Sequence, residues 1–164
     1  MKKPGIAIDI PGSAKLQINA ILSDYTGTLA FNGELVPGVK DRLLRLAQFV
    51  DIHVVTADSF GTAEEELKGL PLICRRLKGS REDVQKQSYA VKLNPHCLAS
   101  FGNGNNDRLL LKVVKEAGGL AIAVENGEGC AREAILNANI HVVGAVNALD
   151  LLLEPTRLRA TLRS

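Results

Sequence analysis

Aromatic side chains are scarce in this chain of 164 residues: two tyrosines, four phenylalanines and no tryptophan, 4% in all. So few rings leave no stacking platform for single-stranded nucleic acid. Neither sign of charge dominates. The 20 basic and 18 acidic residues leave a net charge of +2, too little to draw the chain to nucleic acid by its overall field. Cysteine is limited to Cys74, Cys97 and Cys130, an odd number, widely spaced, with no CxxC pair and no grouping with His53, His96 or His141. That pattern argues against a zinc site and a disulfide framework, and a reducing cytoplasm is the expected compartment. No apolar run approaches the roughly 20 residues that span a bilayer. The opening Met-Lys-Lys-Pro-Gly has charge but no apolar stretch behind it, so neither a membrane partner nor a secretory leader is expected.

What is present is ordinary for a globular protein: 46% hydrophobic and 23% charged residues, in a length that suits one domain over residues 1–164. Two short apolar runs, Ile6–Ile10 and Leu16–Leu22, flank Pro11-Gly12-Ser13, and the first reads as an edge strand or hairpin arm leading into the second. After Pro37-Gly38 a helical pattern puts Val39, Leu43, Leu44, Leu46 and Ala47 on one face. Asp51–Thr56 reads as a strand, and Thr62 with Glu65 has the capping-box spacing of a short helix. Beyond it the pattern predicts a strand in Leu70–Leu77, a helix over Arg81–Leu93 and a strand at Cys97–Phe101. A helix over Asp107–Ala117, a strand at Leu120–Val124, a helix over Cys130–Asn137 and a strand at Ile140–Val143 follow. Leu149–Leu162 closes as helix, interrupted around Pro155. Alternating strands and helices predict an α/β three-layer sandwich around a mostly parallel, Rossmann-like sheet. Ligands of such sheets bind beyond the carboxyl ends of the strands, which selects Asp24, Thr56 and the loop Gly102-Asn-Gly-Asn-Asn-Asp107.

Asp24-Tyr25-Thr26-Gly27-Thr28-Leu29 is the most informative segment. A carboxylate ends a buried strand, and the glycine and small hydroxyl residues behind it permit a tight turn whose backbone N–H groups face an anion that the carboxylate can attack. The segment resembles the first motif of the haloacid dehalogenase-like (HAD) superfamily, Asp-x-Asp-Gly-Thr. It resembles still more closely the Asp-Lys-Thr-Gly-Thr of P-type ATPases, which carry threonine at the position of Thr26. Thr56, at the end of Ile-His-Val-Val-Thr, matches the second motif; Lys86, in Glu-Asp-Val-Gln-Lys, matches the motif lysine; Gly102–Asp107 matches the metal-serving Gly-Asp-Gly-x-Asn-Asp. Lys86 is preferred to Lys92 because its distance from Gly102 suits the motif better. The chain as a whole resembles the soluble P-type ATPase-like phosphatases, a HAD core without membrane segments.

That resemblance implies a Mg2+-dependent phosphatase or ATPase-like phosphohydrolase working through an aspartyl-phosphate. In it Asp24, Thr26 and Lys86 are catalytic, and Thr56, Gly27, Thr28 and Ala57 bind the substrate phosphate. Asp24, the Thr26 carbonyl, Asn103 and Asp107 form the magnesium site, Asp107 by orienting metal waters and Lys86. Two residues depart from the phosphatase pattern. Thr26 replaces a carboxylic acid worth roughly 10²–10⁴ in rate as a general acid–base, so slow hydrolysis is expected except with good leaving groups. Asn103 replaces an aspartate and offers Mg2+ an uncharged oxygen. Only 27 residues separate Thr28 from Thr56 and 29 separate Thr56 from Lys86, too few for a folded lid, so the resemblance is to a capless member. An open site suits a bulky phosphorylated substrate, a protein partner or a homo-oligomer that supplies a wall. A catalytically weak phosphate- or nucleotide-binding regulatory module is the alternative the same residues allow. The basic stretch Arg75, Arg76, Lys78 and Arg81 reads as a solvated face, the commoner fate of a charge run.

Overall fold

The computed structural model describes residues 2–164. Its centre is a six-stranded, all-parallel sheet built from short β-branched and aliphatic runs: β3 (Ala20–Ser23), β6 (Asp51–Thr56), β7 (Ile73–Arg76), β8 (Leu98–Gly102), β9 (Leu120–Glu125) and β10 (Ile140–Val143). The order is β10-β9-β8-β3-β6-β7, so β3, the first of these strands in the chain, lies inside the sheet between β6 and β8. Successive side chains of a strand face opposite ways. Ile21, Ile52, Val54, Phe101 and Ile122 therefore pack on one face, beneath α1 (Val39–Leu46), α2 (Ala63–Glu66), α6 (Ala145–Leu153) and α7 (Pro155–Leu162). Leu22, Val55, Leu98, Ala121 and Ala123 pack on the other, beneath α3 (Glu82–Lys92), α4 (Arg108–Glu116) and α5 (Arg132–Leu136). This is the α/β three-layer architecture expected from the alternation of elements. Among the described residues, no helix is long and apolar enough to cross a membrane.

Several elements differ from the sequence reading. The run Leu16–Leu22 is not one strand. It breaks at the exposed Asn19, giving β2 (Leu16–Ile18), which pairs antiparallel with β1 (Ile6–Ile8) in a separate hairpin, and β3 in the main sheet. Leu44 is exposed, because five residues at 100° each turn it well away from Val39, while Val39, Leu43 and Leu46 are buried. Leu70–Leu77 is strand only over Ile73–Arg76, and the last helical stretch begins earlier than expected, at Ala145, behind Gly144. The Thr62–Glu65 capping box is not formed. Instead Asp58 Oδ1 accepts the N–H groups of Thr62 and Ala63, both at 3.0 Å, and the Thr62 hydroxyl donates to Gly33 O. Asp58 sits in the left-handed region at φ 55°, which a short polar side chain tolerates, and from there its carboxylate reaches the start of α2.

Between the Asp24 turn and α1 lies a small hairpin, β4 (Ala30–Phe31) and β5 (Glu34–Leu35), closed by Asn32-Gly33 with both residues at positive φ. This two-residue turn matches the strand twist and is the favoured hairpin closure. The hydroxyl of Tyr25, itself fully buried, donates to Gly33 O at 2.7 Å and ties the hairpin to the core.

Candidate active site

Asp24 follows the last residue of β3 and its N–H donates to Phe101 O of β8 at 3.0 Å, so the carboxylate emerges between two central strands. Its side chain is almost wholly buried. Lys86 Nζ donates to Asp24 Oδ1 at 3.0 Å and to Asp107 Oδ1 at 2.8 Å, and Lys86 and Asp107 are both fully buried. Lys92 is exposed. Asp107 Oδ2 accepts the N–H groups of Asn103 and Gly104, both at 3.0 Å, which shapes the loop after β8. Gly102 is required there, since a Cβ would lie 2.5 Å from the Asp107 Cβ. Two further contacts clip α3 to this loop and so place Lys86: Asn106 donates to Glu82 at 2.8 Å, and Arg108 pairs with Asp83 at 2.9 Å.

One ammonium thus faces two carboxylates in a buried triad. Burial, and then the neighbouring Asp107 charge, push the Asp24 carboxyl from 3.8 up to about 7, against the opposing pull of Lys86. Burial works against the charge on Lys86, but the attraction of Asp24 and Asp107 outweighs it and raises its pKa. Lys86→Met strands two buried carboxylates without their cation and is expected to cost roughly 3–5 kcal/mol of stability at pH 8. Lys92→Met, at an exposed position, is expected to stay within about 0.5 kcal/mol. Urea midpoints of the two variants measure the difference.

The Asp24 turn is tighter than the sequence reading supposed. Gly27 N–H donates to Ala30 O at 3.1 Å and Thr28 N–H to Tyr25 O at 3.2 Å, so these two amides serve the turn itself and not an anion. Gly27 has another reason to be glycine. At φ 75° it lies so close to Asn103 that a Cβ would overlap the Asn103 amide nitrogen. The Thr28 hydroxyl stands between Asp24 Oδ2 at 3.2 Å and Asn103 Oδ1 at 3.1 Å. Both are acceptors and a hydroxyl donates only one hydrogen. The Asn103 orientation is held by its amide donating to Gly129 O at 3.2 Å.

These groups open onto a cavity of about 190 Å³ lined by Asp24, Thr26, Thr56, Ala57, Ser59, Asn103, Gly104 and Asn106. The Thr26 hydroxyl oxygen is buried and has no hydrogen-bond partner. Thr56 Oγ1 accepts Asp58 N–H at 2.9 Å. Ser59 and Asn126 were not picked out from the sequence. Asn126 donates to both Thr28 O and Ala30 O at 3.1 Å and fixes the Asp24 turn to the exit of β9. Nothing local marks an asparagine as such a brace.

A Mg2+ ion fits what is present. The oxygens of Asp24 and Asn103 converge on one hydroxyl hydrogen, so one of them lacks a donor, and the buried triad carries one carboxylate more than its ammonium neutralises. The donor set is oxygen only, as Mg2+ prefers, with one carboxylate exposed to the cavity. Asp107 is committed to Lys86 and the loop amides.

This fold is found in solved HAD-family phosphatases. A 3-deoxy-D-manno-octulosonate 8-phosphate phosphatase of Moraxella catarrhalis, in complex with magnesium, phosphate and KDO, superposes with a TM-score of 0.60 over 89% of this chain and 94% of that chain, at 16% identity. The cobalt-bound enzyme of Haemophilus influenzae gives 0.64 over 90% and 94%, at 13% identity. Apo phosphoserine phosphatase gives 0.55 over 84% and 99%, at 12% identity. The fold is therefore that of the HAD-like hydrolases. No protein-family model matches the chain. An uncharacterized protein of Methanocaldococcus jannaschii, MJ0073, is 45% identical over 82 residues, which cover 50% of this chain and 78% of that one, and the chain belongs to one family with it.

Proposed function

We propose that the chain is a Mg2+-dependent phosphatase in which Asp24 is the nucleophile. The observation that carries this reading is the placement of the Asp24 carboxylate: at the exit of the central strand, bonded to Lys86, and opening on a small polar cavity. The neighbouring phosphatases have the same fold, which supports the reading.

In the proposed reaction an Asp24 oxygen attacks phosphorus, the ester P–O bond breaks and the alcohol oxygen departs. Water then cleaves the resulting acyl phosphate and restores the carboxylate. Lys86 holds Asp24 in position and balances part of the charge that gathers on the phosphoryl oxygens, the main task in phosphoryl transfer. Thr28 orients Asp24 and Asn103, and Thr56 and Ala57 border the space for the phosphate. Asp24, Asn103 and the Thr26 carbonyl would hold Mg2+, which supplies charge neutralisation for the phosphate. Thr26, with a hydroxyl where a carboxylic acid would serve as proton donor, leaves departure of the alcohol unassisted. The match to the P-type ATPase pattern at this position rests on that residue.

The reading is tested by phosphate release from aryl and acyl phosphates with and without Mg2+. Turnover that requires the metal supports it; saturable phosphate binding with no turnover leaves only a regulatory binding module. Metal binding has a pH signature of its own. A carboxyl whose folded value is raised to about 7 from 3.8 contributes stability that is complete below 3.8 and lost as pH rises through 7. The metal-free protein should therefore lose stability between about pH 4 and 7, and Mg2+, which needs the ionised form, should raise Tm strongly at pH 8 and little at pH 5. An equal rise at both values removes Asp24 from the metal site.

A further inference from the structure

Against another face of α3 is a second cavity, of about 650 Å³. It shares no lining residue with the Asp24 cavity and is more than three times its size. Three cations border it on the α3 face of the sheet: Arg75 on the edge strand β7, Lys78 just beyond it, and Lys92 on α3. Arg76 also touches the cavity, but as the next residue of β7 its side chain turns to the opposite face of the sheet. No carboxylate lines it. Among the described residues Arg75, Lys78 and Lys92 have no acidic partner within 4.0 Å, a condition they share with most basic residues of the chain, but here three such charges gather around one concavity. Three neighbouring like charges around a concavity repel one another unless an anion sits among them.

The floor is built, not merely left over. Gln85, Tyr89 and Lys92 recur at i, i+4 and i+7 and share one face of α3. The Gln85 amide donates to Lys78 O at 3.1 Å and Ser80 O at 2.8 Å, which holds the loop after β7 against the helix. The Tyr89 hydroxyl is hydrogen-bonded to His53 Nδ1 at 2.8 Å, and the two rings meet edge to face with centroids 5.5 Å apart. The tyrosine ring is thereby pinned as a flat wall beside Leu77 and Leu93. A volume of this size is typical of small-ligand sites, and an arginine fork flanked by two lysines suits phosphate oxygens.

We propose that this groove is a second anion site, which takes a small ligand with two or more clustered phosphate groups: a nucleoside di- or triphosphate, or a short inorganic polyphosphate. The cations hold the phosphates and the Tyr89–Leu77–Leu93 wall takes any flat apolar part. The proposal stands apart from the nucleophile reading, because none of its residues belongs to the Asp24 site.

The chain has two tyrosines, one buried and one in this groove, so labelled tyrosine ring signals report the site directly. Tripolyphosphate, ATP and inorganic phosphate are titrated into Asp24→Asn protein in metal-free buffer, which separates groove binding from chemistry at Asp24. Tripolyphosphate and ATP should shift the Tyr89 signals saturably and leave Tyr25 unmoved, with inorganic phosphate at least about tenfold weaker. Arg75→Gln with Lys92→Gln, both at exposed positions, should weaken tripolyphosphate by about tenfold or more, with unmoved Tyr25 signals showing that the variant is folded. ATP binding tighter than tripolyphosphate identifies a nucleotide as the source, and equal affinities identify a bare phosphate chain. No saturable shift of Tyr89 overturns the proposal, as does affinity preserved in the double variant. Preferential binding of an acidic peptide or an oligonucleotide also overturns it.

Discussion

Asp24→Asn is expected to abolish Mg2+-dependent phosphate release, a loss of at least about 10⁴-fold, while leaving a folded protein that melts higher at pH 8 without metal. The loss follows from the chemistry, since an amide oxygen cannot replace the carboxylate as a nucleophile. The gain in stability follows from the buried triad. Asp24 has to ionise at pH 8 against burial and against Asp107, and the amide removes that cost while its oxygen can still accept from Lys86. Beryllium fluoride with Mg2+ mimics a phosphorylated aspartate, so it should raise Tm of the native protein by mass action and fail to do so in the variant. Calorimetry at pH 8 with and without the mimic reads both effects. An unchanged response in Asp24→Asn puts the nucleophile elsewhere, and a collapsed melting transition shows that the carboxylate is structural.

Thr26→Asp should accelerate hydrolysis of alkyl phosphates by up to about 10²–10⁴-fold and change aryl or acyl phosphates far less. An alkoxide needs a proton to depart, whereas a phenolate or a carboxylate leaves unaided. Thr26 borders the cavity, and its buried hydroxyl has no partner among the described residues, so a polar group there disturbs no existing hydrogen bond. The new group must be protonated to act as an acid, and the gain should fall away as pH rises through its pKa. It also adds negative charge near Asp24, which raises the Asp24 pKa further and opposes phosphate entry. For that reason the selectivity between leaving groups, measured at saturating Mg2+, is the decisive quantity. Equal acceleration of both substrate types shows that residue 26 does not stand in the acid position.

How much of this was legible in the chain depends on how far the determining contacts reach. The sheet was readable because buried parallel strands announce themselves as short β-branched runs, and Ile140–Val143 has the bounds that its composition predicts. The grouping of Asp24, Lys86 and Asp107 was readable only through resemblance, since nothing within α3 distinguishes Lys86 from Lys92 until one is buried against β3 and β8. Asp58 displaced Thr62 as the cap of α2 through a left-handed turn that spacing alone does not reveal. Asn126 and Ser59 escaped for a related reason, because their positions are set by loops that fold across distant strand ends. The basic run Arg75, Arg76, Lys78 and Arg81 reads as a solvated face, and all four residues are exposed. The groove proposed beside it depends on Gln85, Tyr89 and Lys92 of the following helix, which a charge run alone does not reveal.

The interior position of β3 has a consequence for biosynthesis. Its two neighbours are made later, and the strand whose Phe101 carbonyl accepts from Asp24 N–H comes last of the three. About 80 residues separate Asp24 from Asp107. At a synthesis rate of roughly 5–20 residues per second, Asp24 leaves the ribosome several seconds before the partner that completes its charge triad. Through the whole of that interval the strand bearing the aspartate lacks its β8 neighbour, even after β6 has emerged. The charge triad is thus absent from the nascent chain until the strand and loop at 98–107 have emerged. A ribosome stalled short of that loop should display a chain with no measurable affinity for a phosphate mimic.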